Sequence, residues 1–134
     1  MHFLQKRQVY KRVVVRVGSD ELVADLSDTF VKRMLGLMYR DGLEKGSCML
    51  FDFHSMGRYG IWMRNMRFPI DVLWVGEDMH IVDTLALAKR CGSIFRCRTY
   101  MPSAPARYVI ELPAGYIDDK GVATGIAVSI GKQL

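Results

Sequence analysis

The chain has 134 residues, half of them hydrophobic and only 4 of them proline, which excludes a disordered protein and favours one compact domain. Its net charge of +5 is unevenly spread, because the basic residues of the first sixteen positions face no acid there. No apolar run is long enough to cross a bilayer or to form a signal peptide, which predicts a cytoplasmic protein. We predict a basic arm over residues 1–11 and a single β-rich domain over residues 12–131.

The beginning of this domain predicts a hairpin followed by a short helix. A β-branched run at 11–17 and an apolar stretch at 22–26 flank a Gly-Ser-Asp turn, which is typical of two paired strands. Ser27 or Asp28 is the expected N-cap of the helix. The apolar face of that helix would carry Phe30, Met34, Leu37 and Met38.

The rest of the chain predicts further strands and a long loop. Apolar segments that indicate strands lie at 47–53, 70–75, 79–88, 107–112 and 122–130, with a turn at 54–57 and a helical turn at 116–120. Residues 89–105 form the loop. The pattern indicates a mainly β fold at the margin of α+β, a single compact antiparallel domain, barrel-like or clip-like, with one or two short helices.

Two carboxylates interrupt strands that otherwise look buried. The strand at 70–75 is apolar on both faces, which indicates burial on both sides, yet it contains Asp71. The strand at 107–112 contains Glu111 in a similar setting. A buried carboxylate needs either a partner or a shifted pKa, so each of these residues marks a candidate polar site.

Arg33, Arg64 and Asn65 are the candidate partners of these carboxylates. An arginine can bind a carboxylate through two hydrogen bonds. One interpretation is a pocket that holds a small polar ligand and is walled by Met38 and Trp62. The other is a buried salt-bridge network that fixes the fold, which composition and spacing alone favour.

The soft side chains allow a metal interpretation, which we do not adopt. His54, Met56, Met63 and Met66 are close in sequence and could form a Cu(I) site. Methionine is more often a filler of irregular cores, and none of the usual Cys/His spacings for zinc is present. We therefore expect neither a metal nor another cofactor.

Three cysteines, an odd number, do not indicate a disulfide framework. Cys48 lies in an apolar strand and is expected in the core. Cys91 and Cys97 lie among basic residues that would favour their thiolates, so a redox pair is possible there. Two ordinary loop thiols are the preferred interpretation.

Basic residues cluster in the arm and in the long loop, where they could contact nucleic acid or an anionic surface weakly. A solvated arm and a solvated loop are the simpler interpretation, and the protein is expected to be a monomer or a dimer. The residues of this possible contact are Lys6, Arg7, Lys11, Arg12, Lys89, Arg90, Arg96 and Arg98.

An ordered set of short motifs resembles the family called domain of unknown function 192. The motifs are Arg-Met-Leu-Gly-Leu-Met at 33–38, Met-Leu-Phe-Asp-Phe at 49–53, Trp-Met-Arg-Asn at 62–65, Pro-Ile-Asp at 69–71 and Tyr-Val-Ile-Glu-Leu-Pro-Ala-Gly at 108–115. The resemblance spans roughly residues 13–130. Cys48 and Met66 stand where the family usually has glycine and threonine.

The resemblance implies a compact, mostly β fold and a polar signature at Arg33, Asn65, Asp71 and Glu111, and it implies no established activity. The leading hypothesis is a domain that binds a small polar ligand or a protein partner through this pocket. One alternative is an enzyme in which Asp71 or Glu111 acts as general acid or base. Another is an accessory protein that binds nucleic acid through the basic arm and loop.

Overall fold

A computed structural model describes residues 2–93 and 95–134 of the chain. The helices of this part are α1 (His2–Arg7), α2 (Phe30–Leu35) and α3 (Tyr116–Lys120). The strands are β1 (Arg12–Val17), β2 (Asp20–Ser27), β3 (Ser47–Gly57), β4 (Ile61–Trp62), β5 (Ile70–Val75), β6 (Ile81–Ala88), β7 (Thr99–Tyr100), β8 (Ala106–Pro113) and β9 (Val128–Gln133). The prediction of a compact, mainly β domain is confirmed.

Seven strands form one sheet in the order β6-β5-β8-β3-β2-β1-β9. Neighbouring strands are antiparallel except β2 and β3, which are parallel because α2 and its loop carry the chain back across. Strands β4 and β7 form a separate two-stranded sheet. The large sheet does not close into a barrel, although an isolated bridge between His80 and Ala127 and a few backbone hydrogen bonds join the start of β6 to the segment before β9.

The two faces of the large sheet bury two separate apolar clusters. The first, which we call the inner core, includes Val15, Leu22, Leu50, Leu73, Ile110 and Leu112. The second, the outer core, includes Met49, Phe51, Met63, Val72, Trp74 and Val109. Every residue of β5 is buried, and alternate side chains enter alternate cores. This confirms the prediction that this strand is covered on both faces.

Some local predictions differ from the structure. Thr29, not Ser27 or Asp28, caps α2, since its Oγ1 accepts a hydrogen bond from the Lys32 amide at 3.3 Å. Ser27 is fully buried at the end of β2 and is paired with Phe51 of β3, so it does not cap the helix. The predicted turn at 54–57 is wrong because β3 continues through it to Gly57.

The predicted N-terminal arm contains α1, which contacts the turn after α2. The Gln5 side-chain amide donates hydrogen bonds to the carbonyls of Gly36 (3.0 Å) and Met38 (2.7 Å). Tyr10 in turn donates its hydroxyl to Gln5 at 3.0 Å. Residues 4–10 therefore help to hold the turn that lines the cavity described below.

Cys91 and Cys97 form a disulfide, so the preferred interpretation of two ordinary thiols was wrong. The loop brings their Cα atoms to 5.7 Å, within the range that a disulfide bridges. Cys48 is buried and free, and burial raises the pKa of its thiol to about 12. Among the described helices, none is long and apolar enough to cross a membrane.

Candidate ligand-binding cavity

A cavity of about 480 Å³ opens on the outer face of the sheet. Its floor is formed by β3 and β8, and its walls by α2 with the turn that follows and by β4 with residues 64–66. The structure brings together here most of the residues that the sequence singled out. Those that line the cavity are Arg33, Met38, Trp62, Arg64, Asn65 and Glu111.

Glu111 lies at the floor of this cavity. In the sheet it is paired with Met49 on β3 and Val72 on β5, both members of the outer core, so its side chain faces outward with theirs. It is 7% exposed, and its Oε1 has no hydrogen-bond partner within the described residues. An unpartnered polar atom at such depth is uncommon in folded proteins and calls for an explanation.

Burial raises the pKa of the Glu111 carboxyl to about 8, against the opposing charge of Arg40. The desolvation of the charged form is the larger effect, because within the described residues no cation lies within salt-bridge distance of the carboxyl. At neutral pH the group is therefore mostly protonated. It can donate a hydrogen bond to a ligand and still accept one.

Gly36 lets the backbone after α2 pass close to Glu111. Its φ of +49° lies in the region that favours glycine. A Cβ at this position would stand 3.5 Å from the Glu111 Oε1 and 3.3 Å from the Phe51 ring. Any side chain here would reduce the space directly above the carboxyl.

Two arginines stand around the cavity. Arg33 is half-buried, donates to the Asp52 carbonyl at 3.3 Å and lies 5.6 Å from the centre of the Phe53 ring. Arg64 is exposed and lies 5.4 Å from the centre of the Trp62 ring. These contacts orient both guanidinium groups against aromatic rings at the cavity wall.

Two residues with left-handed backbone meet at the rim. Tyr39 has a φ of 65° and Asn65 a φ of 59°. They are joined by a hydrogen bond of 2.9 Å from the Tyr39 amide to the Asn65 carbonyl. Asparagine adopts this conformation readily, whereas it is costly for tyrosine, and such strain is often found at binding sites.

Asp71 does not line the cavity. It is paired with Leu112 of the inner core, so it faces the opposite side of the sheet from Glu111. Its Oδ1 accepts from the amides of Leu87 (2.9 Å) and Gly115 (3.2 Å), and its Oδ2 accepts from Ile117 (2.8 Å). The hypothesis that both carboxylates share one pocket is thus corrected: Asp71 joins β5 to the irregular end of β6 and to the start of α3.

The eight basic residues predicted to contact an anionic partner are all exposed. Arg12 is engaged, because it forms an ion pair of 3.4 Å with Asp25. Phe51 and Phe53 also line the cavity, although neither is among the predicted site residues. The alternation of β3 places both with Met49 on the face that Glu111 shares, and this is the signal that could have identified them. Tyr39 gave no signal at all.

A family model for domain of unknown function 192, described as an uncharacterized ACR, matches residues 13–130. A UPF0127 protein of Thermococcus gammatolerans is 32% identical over 105 residues, 78% of this chain. The match spans 64% of that relative, less than two thirds of its length.

Two solved structures share the fold. A proposed transcription regulator of Sinorhizobium meliloti is 29% identical, with a TM-score of 0.79 over 91% of this chain and 94% of that one. A protein of unknown function from Novosphingobium aromaticivorans is 26% identical, with a TM-score of 0.76 over 88% and 83%. The architecture described above therefore recurs in both.

Proposed function

For this chain, which belongs to the family of domain of unknown function 192, we propose that the cavity binds a small organic acid with an apolar body. The observation that carries this proposal is Glu111, a buried carboxyl at the floor of an open cavity, one oxygen of which has no hydrogen-bond partner among the residues that the structure describes. A structural carboxylate would have its partners in the fold, as Asp71 has.

A ligand can supply the hydrogen-bond partner that the Glu111 Oε1 does not have among the described residues. A buried polar group without a hydrogen bond costs about 1–3 kcal/mol, and a ligand oxygen that accepts from the protonated carboxyl would recover part of this. Because the neutral carboxyl adds no negative charge, the two arginines leave the cavity with positive charge at neutral pH. This combination favours a ligand that carries a carbonyl or hydroxyl oxygen together with an anionic group.

The guanidinium groups suit that anionic group. One guanidinium nitrogen of Arg33 donates a hydrogen bond to the Asp52 carbonyl, and the other N–H groups can still donate to a ligand. Arg64 is exposed at the wall formed by Trp62. A carboxylate is the natural partner of such planar donors because they can hold both of its oxygens.

The remaining lining suits an apolar ligand body. Two aromatic rings, Phe51 and Phe53, and two methionines, Met34 and Met38, line the cavity. Methionine adapts its shape to the group it contacts. The volume of about 480 Å³ lies in the usual range for small-molecule sites, which bind mostly through such apolar contact.

This proposal is tested by NMR titration with benzoate, and with benzylamine and cyclohexanol as cationic and neutral comparisons. We expect benzoate to shift the amide signals of Gly36, Asn65 and Glu111 saturably, and to do so far more weakly in Arg33→Ala. The matched control is Arg67→Ala, an arginine that is outside the cavity and paired with Asp41. Equal shifts in both variants, or a preference for benzylamine, would refute binding of an organic acid.

General acid catalysis by Glu111 is a second candidate, favoured by its pKa of about 8 near neutrality. Asp71 does not fit that role, because it faces away from the cavity and its oxygens accept hydrogen bonds from three backbone amides. Chromogenic esters and glycosides would be screened as substrates. Turnover that Glu111→Gln abolishes would support catalysis, and turnover that it leaves unchanged would exclude Glu111 as the acid.

A further inference from the structure

The long loop presents cations that the fold does not neutralise. Lys89, Arg90, Arg96 and Arg98 are exposed, and within the described residues none lies within salt-bridge distance of a carboxylate. The sequence has no acid between Asp83 and Glu111. Five arginines elsewhere in the described residues are paired with acids: Arg12, Arg16, Arg40, Arg67 and Arg107. The described part of this loop, which we call the basic loop (residues 89–93 and 95–98), is therefore a local source of positive potential.

A phenyl ring projects from the same loop. Phe95 is 88% exposed, more than any other large hydrophobic side chain of the described part of the chain. It is followed directly by Arg96, so apolar surface and positive charge stand side by side. Isolated exposed apolar residues are ordinary on protein surfaces, but this one is fixed in place.

The fixing comes from two constraints. The Cys91–Cys97 disulfide closes the loop around Phe95. Inside that ring, the Ser93 hydroxyl accepts hydrogen bonds from the amides of Phe95 (3.1 Å) and Arg96 (3.0 Å). A preorganised loop loses less conformational entropy when it binds. The exposure of Phe95 is thus a property of a constrained turn.

We propose that the basic loop docks the protein on an anionic lipid surface, with Phe95 inserted among the headgroups and the surrounding cations against lipid phosphates. Aromatic side chains beside clustered Lys and Arg are the combination that binds at such interfaces, and each cation adds attraction to anionic lipid. The surface of the loop that would contact the lipid is small, so docking is reversible. It depends on both the charge of the lipid and the ionic strength.

The geometry favours lipid over nucleic acid. Proteins that bind single strands stack successive bases on several aromatic rings along a positive groove. Here the other ring near the loop, Tyr100, is covered by Arg98 at 4.7 Å, and one ring projects from a closed turn. This arrangement fits insertion into a soft surface.

Co-sedimentation of the full chain with vesicles tests the proposal. We expect binding to vesicles of phosphatidylglycerol and phosphatidylcholine that is at least tenfold stronger than binding to phosphatidylcholine alone, and that falls with added salt. Phe95→Ser should weaken it severalfold, as should the double variant Arg96→Glu and Arg98→Glu. The matched controls are Val9→Ser, which changes another highly exposed apolar residue, and Lys132→Glu, which changes an exposed cation of β9.

A reductant provides a further arm, because opening the disulfide frees the loop. The variant with both Cys91 and Cys97 replaced by serine should bind anionic vesicles more weakly and be insensitive to reductant. Equal binding to neutral vesicles, no binding to anionic vesicles, or an unchanged Phe95→Ser variant would each overturn the proposal. The proposal would also be overturned if the Phe95→Ser variant lost binding to single-stranded DNA but kept its binding to anionic vesicles.

Discussion

Asp71 and Glu111 are both buried, on the adjacent strands β5 and β8, and they face opposite sides of the same sheet. On the inner side, Asp71 accepts hydrogen bonds from three backbone amides: one of β6, one of the residue before α3 and one of α3 itself. On the outer side, Glu111 meets a cavity and has an oxygen without a partner among the described residues.

The difference shows that burial of a carboxylate does not decide between architecture and function. What decides is whether the fold supplies its partners. A carboxylate that accepts hydrogen bonds from several backbone amides stabilises the segments to which those amides belong. A carboxyl that is buried beside an open space without partners lowers stability, and that cost is explained if a ligand completes the site.

Asp71→Asn should have the largest effect on stability. The amide cannot accept from three backbone amides as the carboxylate does, and its own N–H atoms face donors. We expect the free energy of unfolding to fall by about 4 kcal/mol, measured by urea denaturation. A loss below about 1 kcal/mol would break the assignment of Asp71 to the architecture.

The stability of the protein should fall as pH rises from about 4.5 to about 8. Across this interval Glu111 is ionised in the unfolded chain, with its ordinary pKa of 4.5, and protonated in the folded one, with a pKa of about 8. Folding therefore takes up a proton, and each pH unit costs up to about 1.4 kcal/mol from this group.

Urea denaturation of wild type and Glu111→Gln across this range isolates the contribution. The slope attributed to Glu111 must vanish in the variant, whose amide does not titrate. Parallel pH profiles for the two proteins would contradict the raised pKa.

Gly36→Ala should have an intermediate effect. A Cβ at a φ of +49° is strained and stands 3.3 Å from the Phe51 ring, so we expect a loss of about 1–2 kcal/mol. It should also weaken benzoate binding, since it narrows the space over Glu111. Gly42→Ala is the control, because nothing lies within 4 Å of its Cβ position; an equal loss in both would show that Gly36 is not required for space.

Glu111→Gln should have the smallest effect below about pH 4. There the carboxyl is mostly protonated in both the folded and the unfolded chain, and the neutral amide resembles it in size and charge, so we expect a change within about 1 kcal/mol by urea denaturation. At pH 7 the variant should be the more stable protein by about 3 kcal/mol, because only the wild-type carboxyl takes up a proton on folding. If it instead loses as much stability as Asp71→Asn, the two sides of the sheet do not differ in kind.

The sequence predicted the strands well where the pattern was strong, as at β5, whose two apolar faces required burial on both sides. The alternation of side chains along β8 predicts that Glu111 and Ile110 face opposite sides of the sheet. It does not show which residue of β5 is paired with Glu111. That register comes from tertiary contacts, and it separates Glu111 from Asp71. No local signal could have shown it.

Other differences have the same origin. The disulfide depends on how the loop folds back, which the spacing of Cys91 and Cys97 does not fix. The contact of Gln5 with the turn after α2 joins positions 31 and 33 residues apart. By contrast, Trp62, Arg64 and Asn65 of the Trp-Met-Arg-Asn motif lie on one wall of the cavity, because they are close neighbours in the chain.

The most direct test of the account is an NMR titration of the Glu111 side-chain carboxyl, assigned by comparison with Glu111→Gln. A carboxyl that is buried at the cavity floor, with an oxygen that has no partner among the described residues, should titrate near pH 8 in the free protein. Titration near pH 4.5 would contradict the account, because it would show a carboxylate that the fold already solvates or pairs.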